Sequence, residues 1–115
     1  MKIGRLDKDG LTLIGGVELA VRVHERMRGL LGRDGLEAGR AMHIARAGSI
    51  HTCFMKFSLD LIFLDATLGV VRLLWDVPPW RIVPGGRGAR SVVEMAAGWF
   101  PRDVLKPGDR VRIRM

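Results

Sequence analysis

Leu59-Asp60-Leu61-Ile62-Phe63-Leu64, Asp65-Ala66-Thr67-Leu68-Gly69 and Val70-Val71-Arg72-Leu73-Leu74-Trp75 run consecutively, and their reading decides the fold. The first six residues are apolar on both alternating sets except at Asp60. A strand of this composition is covered on both faces. The next five carry turn residues, and the last six return to β-branched and aromatic types. The stretch predicts a hairpin at the centre of the molecule.

Outward from it, the chain is punctuated by fifteen glycines and five prolines, spread rather than clustered, which favours short strands over a helix bundle. Upstream, Ile3 to Leu6 and Leu11 to Ile14 flank Asp7-Lys8-Asp9-Gly10, a hairpin with a four-residue loop. Val17, Leu19, Val21 and Val23 alternate with Glu18, Ala20 and Arg22, as in a strand with one buried face. Met27, Leu30 and Leu31 then change to helical spacing and predict a two-turn helix over 24–31, ending near Gly32. Gly29 within it costs on the order of 1 kcal/mol relative to Ala. Ala41 to Ala45 and Ile50 to Met55 read as further strands. Downstream, Pro78-Pro79 stops regular structure and Pro84 to Gly88 forms a loop. Ser91 to Met95 is a strand, Arg102 to Leu105 a single helical turn, and Pro107-Gly108 the centre of a type II turn. Val111 and Ile113 alternate with arginines in a last strand. The expectation is one α+β domain over 1–115, mostly antiparallel β, closing into a small distorted barrel with one or two short helices. Its core would include Val21, Val23, Leu30, Met42, Ile50, Leu61, Phe63, Val71, Leu73, Val93 and Val111.

Composition bounds the function. The 115 residues are 48% hydrophobic and 27% charged, with 19 Lys plus Arg against 12 Asp plus Glu, a net charge of +7. That is neither a disordered composition nor one with a membrane span. A single cysteine excludes an internal disulfide and a cysteine-based zinc cluster. With no secretory apolar segment at Met1-Lys2-Ile3-Gly4-Arg5, a cytoplasmic protein is expected.

Two stretches carry a family likeness. Residues 49–65, Ser-Ile-His-Thr-Cys-Phe-Met-Lys-Phe-Ser-Leu-Asp-Leu-Ile-Phe-Leu-Asp, resemble the central motif of the bacterial and archaeal "domain of unknown function 192". Val92 to Gly98 with Gly108-Asp109 resembles its C-terminal motif, and Arg26, Gly29-Leu30 and Arg33 its N-terminal one. Pro79-Trp80-Arg81 suits the branch with His-Thr before the central Met. The resemblance implies a small β-rich domain without an established activity, many of whose members carry secretion or lipoprotein signals. This sequence departs from the pattern at Ser58, where a proline is frequent, and near Phe54, where a glycine is. Phe54 and Phe57-Ser58 also replace the Trp and Asn-Thr of other branches.

The polar residues in the central stretch are the candidates for a site. His51, Cys53 and Met55 would share one strand face and could suit copper(I), but Cys and Met are ordinary core residues and three neighbours on one strand do not close a coordination sphere. No metal or cofactor is therefore expected. Cys53 lies too far from His51, about 7 Å along the strand, for a nucleophile–base pair. Asp60 could orient His51 as an acid–base pair in a hydrolase or lyase. The plainer reading, which we prefer, has Asp60 capping the turn into its strand and Thr52 satisfying backbone. Glu94 interrupts an apolar strand, and a structural ion pair with Arg26 is expected. Trp80 reads as an apolar plug under its loop rather than a stacking face. The arginines at 102, 110, 112 and 114, with Lys106, Lys2 and Arg5, make a basic surface, but no exposed aromatics interleave with them, so nucleic acid ranks last among partners. The lead expectation is a non-enzymatic binding or accessory module for a small molecule or protein, with a pocket around His51, Thr52, Met55 and Asp60.

Overall fold

A computed structural model describes residues 2–22 and 35–115. Among them there are nine strands and no helix. The described architecture is all-β, which corrects the α+β expectation. The helix predicted over 24–31 lies outside the described residues, as do Val23, Leu30, Arg26 and Arg33. Arg102 to Leu105 forms turns instead of a helical turn.

The strands are β1 (Lys2–Lys8), β2 (Leu11–Ala20), β3 (Arg40–Ile44), β4 (Ser49–His51), β5 (Leu59–Leu64), β6 (Val70–Val77), β7 (Ile82–Pro84), β8 (Ser91–Ala96) and β9 (Arg112–Arg114). Seven of them form one sheet in the order β6-β5-β8-β3-β2-β1-β9, and β4 pairs with β7 in a second, two-stranded sheet. All pairings are antiparallel except β2 with β3. The large sheet curls into a half-barrel. Among the described residues its two edges meet at one end, through a bridge between Gly69 and Arg110 supported by Val70 N–H to Asp109 O and Val111 N–H to Leu68 O.

Local chemistry sets these elements. The first hairpin turns on two residues, Asp9 and Gly10, both at positive φ (52° and 82°). That is the type I′ geometry whose twist matches paired strands, so Asp7 and Lys8 belong to β1 and the loop is shorter than predicted. The β5–β6 hairpin forms as read, with all six residues of β5 buried. It occupies one end of the sheet order, with β8 on its other side, instead of the centre. Gly108 has φ 95° and Asp109 N–H reaches Lys106 O at 3.1 Å, as a type II turn requires.

Two apolar clusters cover the two faces of the central strands. One contains Leu6, Ile14, Val17, Ile62, Leu64, Val93, Met95 and Val111, capped by Phe100 and Leu105. The other contains Met42, Ile44, Met55, Leu59, Leu61, Phe63, Val77, Val83 and Val92. Of the predicted core, Met42, Leu61, Phe63, Val93 and Val111 are fully enclosed, Ile50, Val71 and Leu73 are half-buried, and Val21 is 60% exposed. β2 ends at Ala20, so the alternation that should have buried Val21 stops one residue early.

Candidate functional site

The predicted strand from Ile50 to Met55 is β4 only as far as His51. A turn follows, closed by Met55 N–H on Thr52 O at 3.1 Å, with Phe54 at φ 65°. His51, Cys53 and Met55 therefore do not share a strand face. His51 is exposed, Cys53 is a half-buried free thiol and Met55 is buried in the second cluster. No group of three His, Cys, Asp or Glu side chains comes together among the described residues.

Thr52 is the organising residue. It is fully buried. Its hydroxyl donates to Pro78 O at 2.7 Å and accepts from Arg81 N–H at 2.9 Å. Its own N–H donates to Arg81 O at 2.8 Å, and its carbonyl accepts from Trp80 N–H at 3.0 Å. One side chain and its peptide groups thus fasten the 78–81 loop to the turn at 52–55. The effect is to set Trp80 beside Phe54, ring centroids 4.6 Å apart and edge to face.

Both aromatics are exposed, Phe54 by 69% and Trp80 by 60%, and both sit at positive φ (65° and 66°). Trp80 is no buried plug. For bulky side chains this left-handed backbone costs of order 1–3 kcal/mol per residue. The glycine that the family pattern places near Phe54 would relieve that strain here. Beside the pair, cross-strand partners His51 and Ile82 share the outer face of the β4–β7 sheet with Ser49 and Pro84, while Ile50 and Val83 face inward. Ser49, Ile50, His51, Cys53, Phe54 and Ile82 line a shallow, mostly apolar depression of about 500 Å³. Sequence reasoning missed Phe54, Ile82 and the exposed role of Trp80, because apolar runs read as core and positive φ at an aromatic leaves no trace in the sequence.

Asp60 is buried further along the central motif. Its Oδ1 accepts Asp76 N–H at 2.9 Å and its Oδ2 accepts Gly98 N–H at 3.2 Å. The reason lies in the register. Leu59 pairs with Val77 but Leu61 with Leu74, so β6 carries an extra residue. Asp76, at φ 53°, lies within that bulge, and Asp60 takes its otherwise unpaired N–H. Of the four candidates, His51 faces solvent while its neighbour Thr52 and Met55 are buried, and both oxygens of Asp60 are committed to backbone amides.

Two further ionisable groups lie in the sheet, Glu94 buried and His43 half-buried. Glu94 pairs in register with Met42 and Leu61, and burial pushes its carboxyl up to about 7. Arg26, its expected partner, lies outside the described residues. His43, next to Val93 in register, has a buried Nε2 without a hydrogen-bond partner among the described residues, and desolvation lowers its imidazole to about 4. Asp109, in the C-terminal motif, accepts Lys106 N–H at 3.0 Å and Lys8 Nζ at 3.1 Å, which tie the last turn to the first hairpin.

Comparison with known proteins bears on these motifs. The model of the family DUF192, described as an uncharacterized ACR, matches residues 5–113. The chain belongs to the DUF192 family. A UPF0127 protein of Thermococcus sibiricus is 32% identical over 107 residues, covering 89% of this chain and 68% of that one. A UPF0127 protein of Pyrococcus horikoshii is 40% identical over 67 residues, so the match spans 56% of this chain and only 55% of that relative. A crystal structure of a protein of unknown function from Novosphingobium aromaticivorans superposes with a TM-score of 0.80 at 22% identity, covering 96% of this chain and 83% of that one. A solved structure from Sinorhizobium meliloti gives 0.76 at 23% identity, covering 96% and 92%. These likenesses establish the DUF192 fold. Among the described residues no helix is long and apolar enough to cross a membrane.

Proposed function

We propose that this DUF192 domain is a non-enzymatic binding module that receives an apolar group on the outer face of β4–β7, beside His51. The observation that carries the reading is the Phe54–Trp80 pair. Two bulky residues hold unfavourable backbone conformations, and the result is to present apolar rings to water, which folding alone does not reward. The adjoining depression, about 500 Å³, falls in the range of small-molecule sites. Thr52 supplies the rigid support that such a site needs, and His51 supplies one polar group at its edge. Met55 belongs to the core and Asp60 fixes the backbone at Asp76 and Gly98, so neither forms part of the apolar face.

The test uses the neutral fluorophore phenylnaphthylamine as an apolar probe. Its emission should rise on titration with the protein. Phe54→Ala and Trp80→Ala should each reduce that gain at least fivefold without lowering the thermal midpoint. His51→Ala should alter affinity less. Equal probe binding by all three variants and the wild type would overturn the reading.

A further inference from the structure

We propose that the outer face of β1 and β9 is a second, separate site, which binds the phosphate groups of a nucleic-acid strand. It is independent of the apolar face and rests on how two arginines, Arg5 and Arg114, are placed against a buried aspartate, with a third arginine beside them. In the β1–β9 pairing, Arg5 stands opposite Arg114 and Asp7 opposite Arg112. Asp7 is 6% exposed. Its Oδ1 accepts the Thr12 hydroxyl at 2.8 Å, while its Oδ2 accepts Arg5 Nε at 3.1 Å and lies 3.7 Å from Arg114 Nε. Thr12, with Arg5 behind it, also keeps this carboxyl below the usual carboxylate range.

Both arginine contacts use Nε. The terminal Nη groups of Arg5 and Arg114 have no partner among the described residues, and the two side chains are about half exposed (48% and 49%). Arg5, hydrogen-bonded through Nε, presents its outer fork already oriented, and that fork matches two oxygens of a phosphate, while Arg114 lies in looser ion-pair contact beside it. Gly4 supports the arrangement. A Cβ there would collide with the Arg114 carbonyl oxygen, so glycine lets β9 approach closely enough for Arg114 to reach Asp7. Arg112 is exposed beside them, and the cluster of three arginines and one aspartate carries two net positive charges.

The arrangement selects a ligand class. Arg112 and Arg114 alternate along an edge strand about 7 Å apart, and Arg5 extends the array across to β1. Such a spread engages several phosphates of a linear chain, whereas a lone phosphate ion occupies one fork. β1 and β9 carry no aromatic residue for base stacking, so recognition is by backbone charge and without sequence preference.

The experiment measures fluorescence anisotropy of a labelled oligothymidylate with the full chain over a salt series. The double variant Arg112→Gln/Arg114→Gln should weaken binding at least tenfold and reduce the salt slope by roughly 1.4, the value for two phosphate contacts on a single strand. The control Arg87→Gln/Arg90→Gln removes the same charge elsewhere and should stay within twofold of wild type. Arg112→Lys/Arg114→Lys, which keeps charge but loses the fork, should fall between. Thermal midpoints establish that each variant is folded. Equal weakening by both glutamine doubles, absence of binding at low salt, or binding to anionic phospholipid vesicles in place of the oligonucleotide would each overturn the proposal.

Discussion

Glu94 and His43 make a prediction that can be worked through. Burial lifts the Glu94 carboxyl from 4.5 to about 7 and lowers the His43 imidazole from 6.5 to about 4. At 1.36 kcal/mol per pH unit, each displacement amounts to about 3 kcal/mol of stability, with opposite sign. A carboxyl raised by folding contributes stability that is complete below pH 4.5 and is lost as pH climbs through 7. An imidazole lowered by folding contributes stability that is complete above pH 6.5 and is lost as pH falls through 4. Between 4.5 and 6.5 the native state carries its proton on Glu94, and the unfolded state carries one on His43. The two proton counts are equal, so wild-type stability is flat across this window. Glu94→Gln removes one side of the balance. Its stability should rise with pH by about 3 kcal/mol between 4 and 6.5, and at pH 8 it should exceed wild type by about 3 kcal/mol because no carboxylate remains to be buried. His43→Leu should show the mirror slope, falling between pH 4.5 and 7. Urea denaturation followed by tryptophan fluorescence at four pH values measures all three. A Glu94→Gln protein less stable than wild type at pH 8 would refute the reasoning.

Other expectations test the supports of the candidate site. Thr52→Val should cost about 1–2 kcal/mol in denaturant melts, since it removes the buried hydroxyl that pairs with the Pro78 carbonyl and the Arg81 N–H, groups that water can partly reach. Asp60→Asn should cost about 1–3 kcal/mol, because an amide nitrogen cannot accept the second of the two backbone N–H bonds; hydrogen exchange at Asp76 or Gly98 should accelerate with it. Phe54→Gly should be neutral or slightly stabilising by thermal melting, within about 1 kcal/mol, while abolishing probe binding. A large loss of stability there would show that the ring is structural.

What the sequence made legible follows from the range of each interaction. Period-two patterning and turn chemistry are local, so β5, β6, β8 and the Pro107-Gly108 turn were placed within a residue or two. The central hairpin of the sequence reading sits near one side of the sheet because strand order depends on distant partners such as β8 and β3. Residue type alone gives Asp60 and Thr52 backbone-satisfying roles. Their partners, Gly98 and Pro78 through Arg81, lie far along the chain and carried no local signal. The half-buried β4 ended early for a related reason. Cys53, Phe54 and Met55 have strand-like composition, yet the hydrogen bonds of Thr52 bend the chain there.

The pairing of residues 5–7 with residues 112–114, together with the bridge from 69 to 110, has a kinetic consequence. Contacts so remote in sequence must be reached by diffusion of a long intervening chain, and the entropy of that search precedes any gain from the pairs formed. Refolding should accordingly run in milliseconds to seconds rather than microseconds. During that interval the edge of β1 that finally receives β9 stays open, a template for neighbouring molecules whenever the domain is concentrated before it has finished folding.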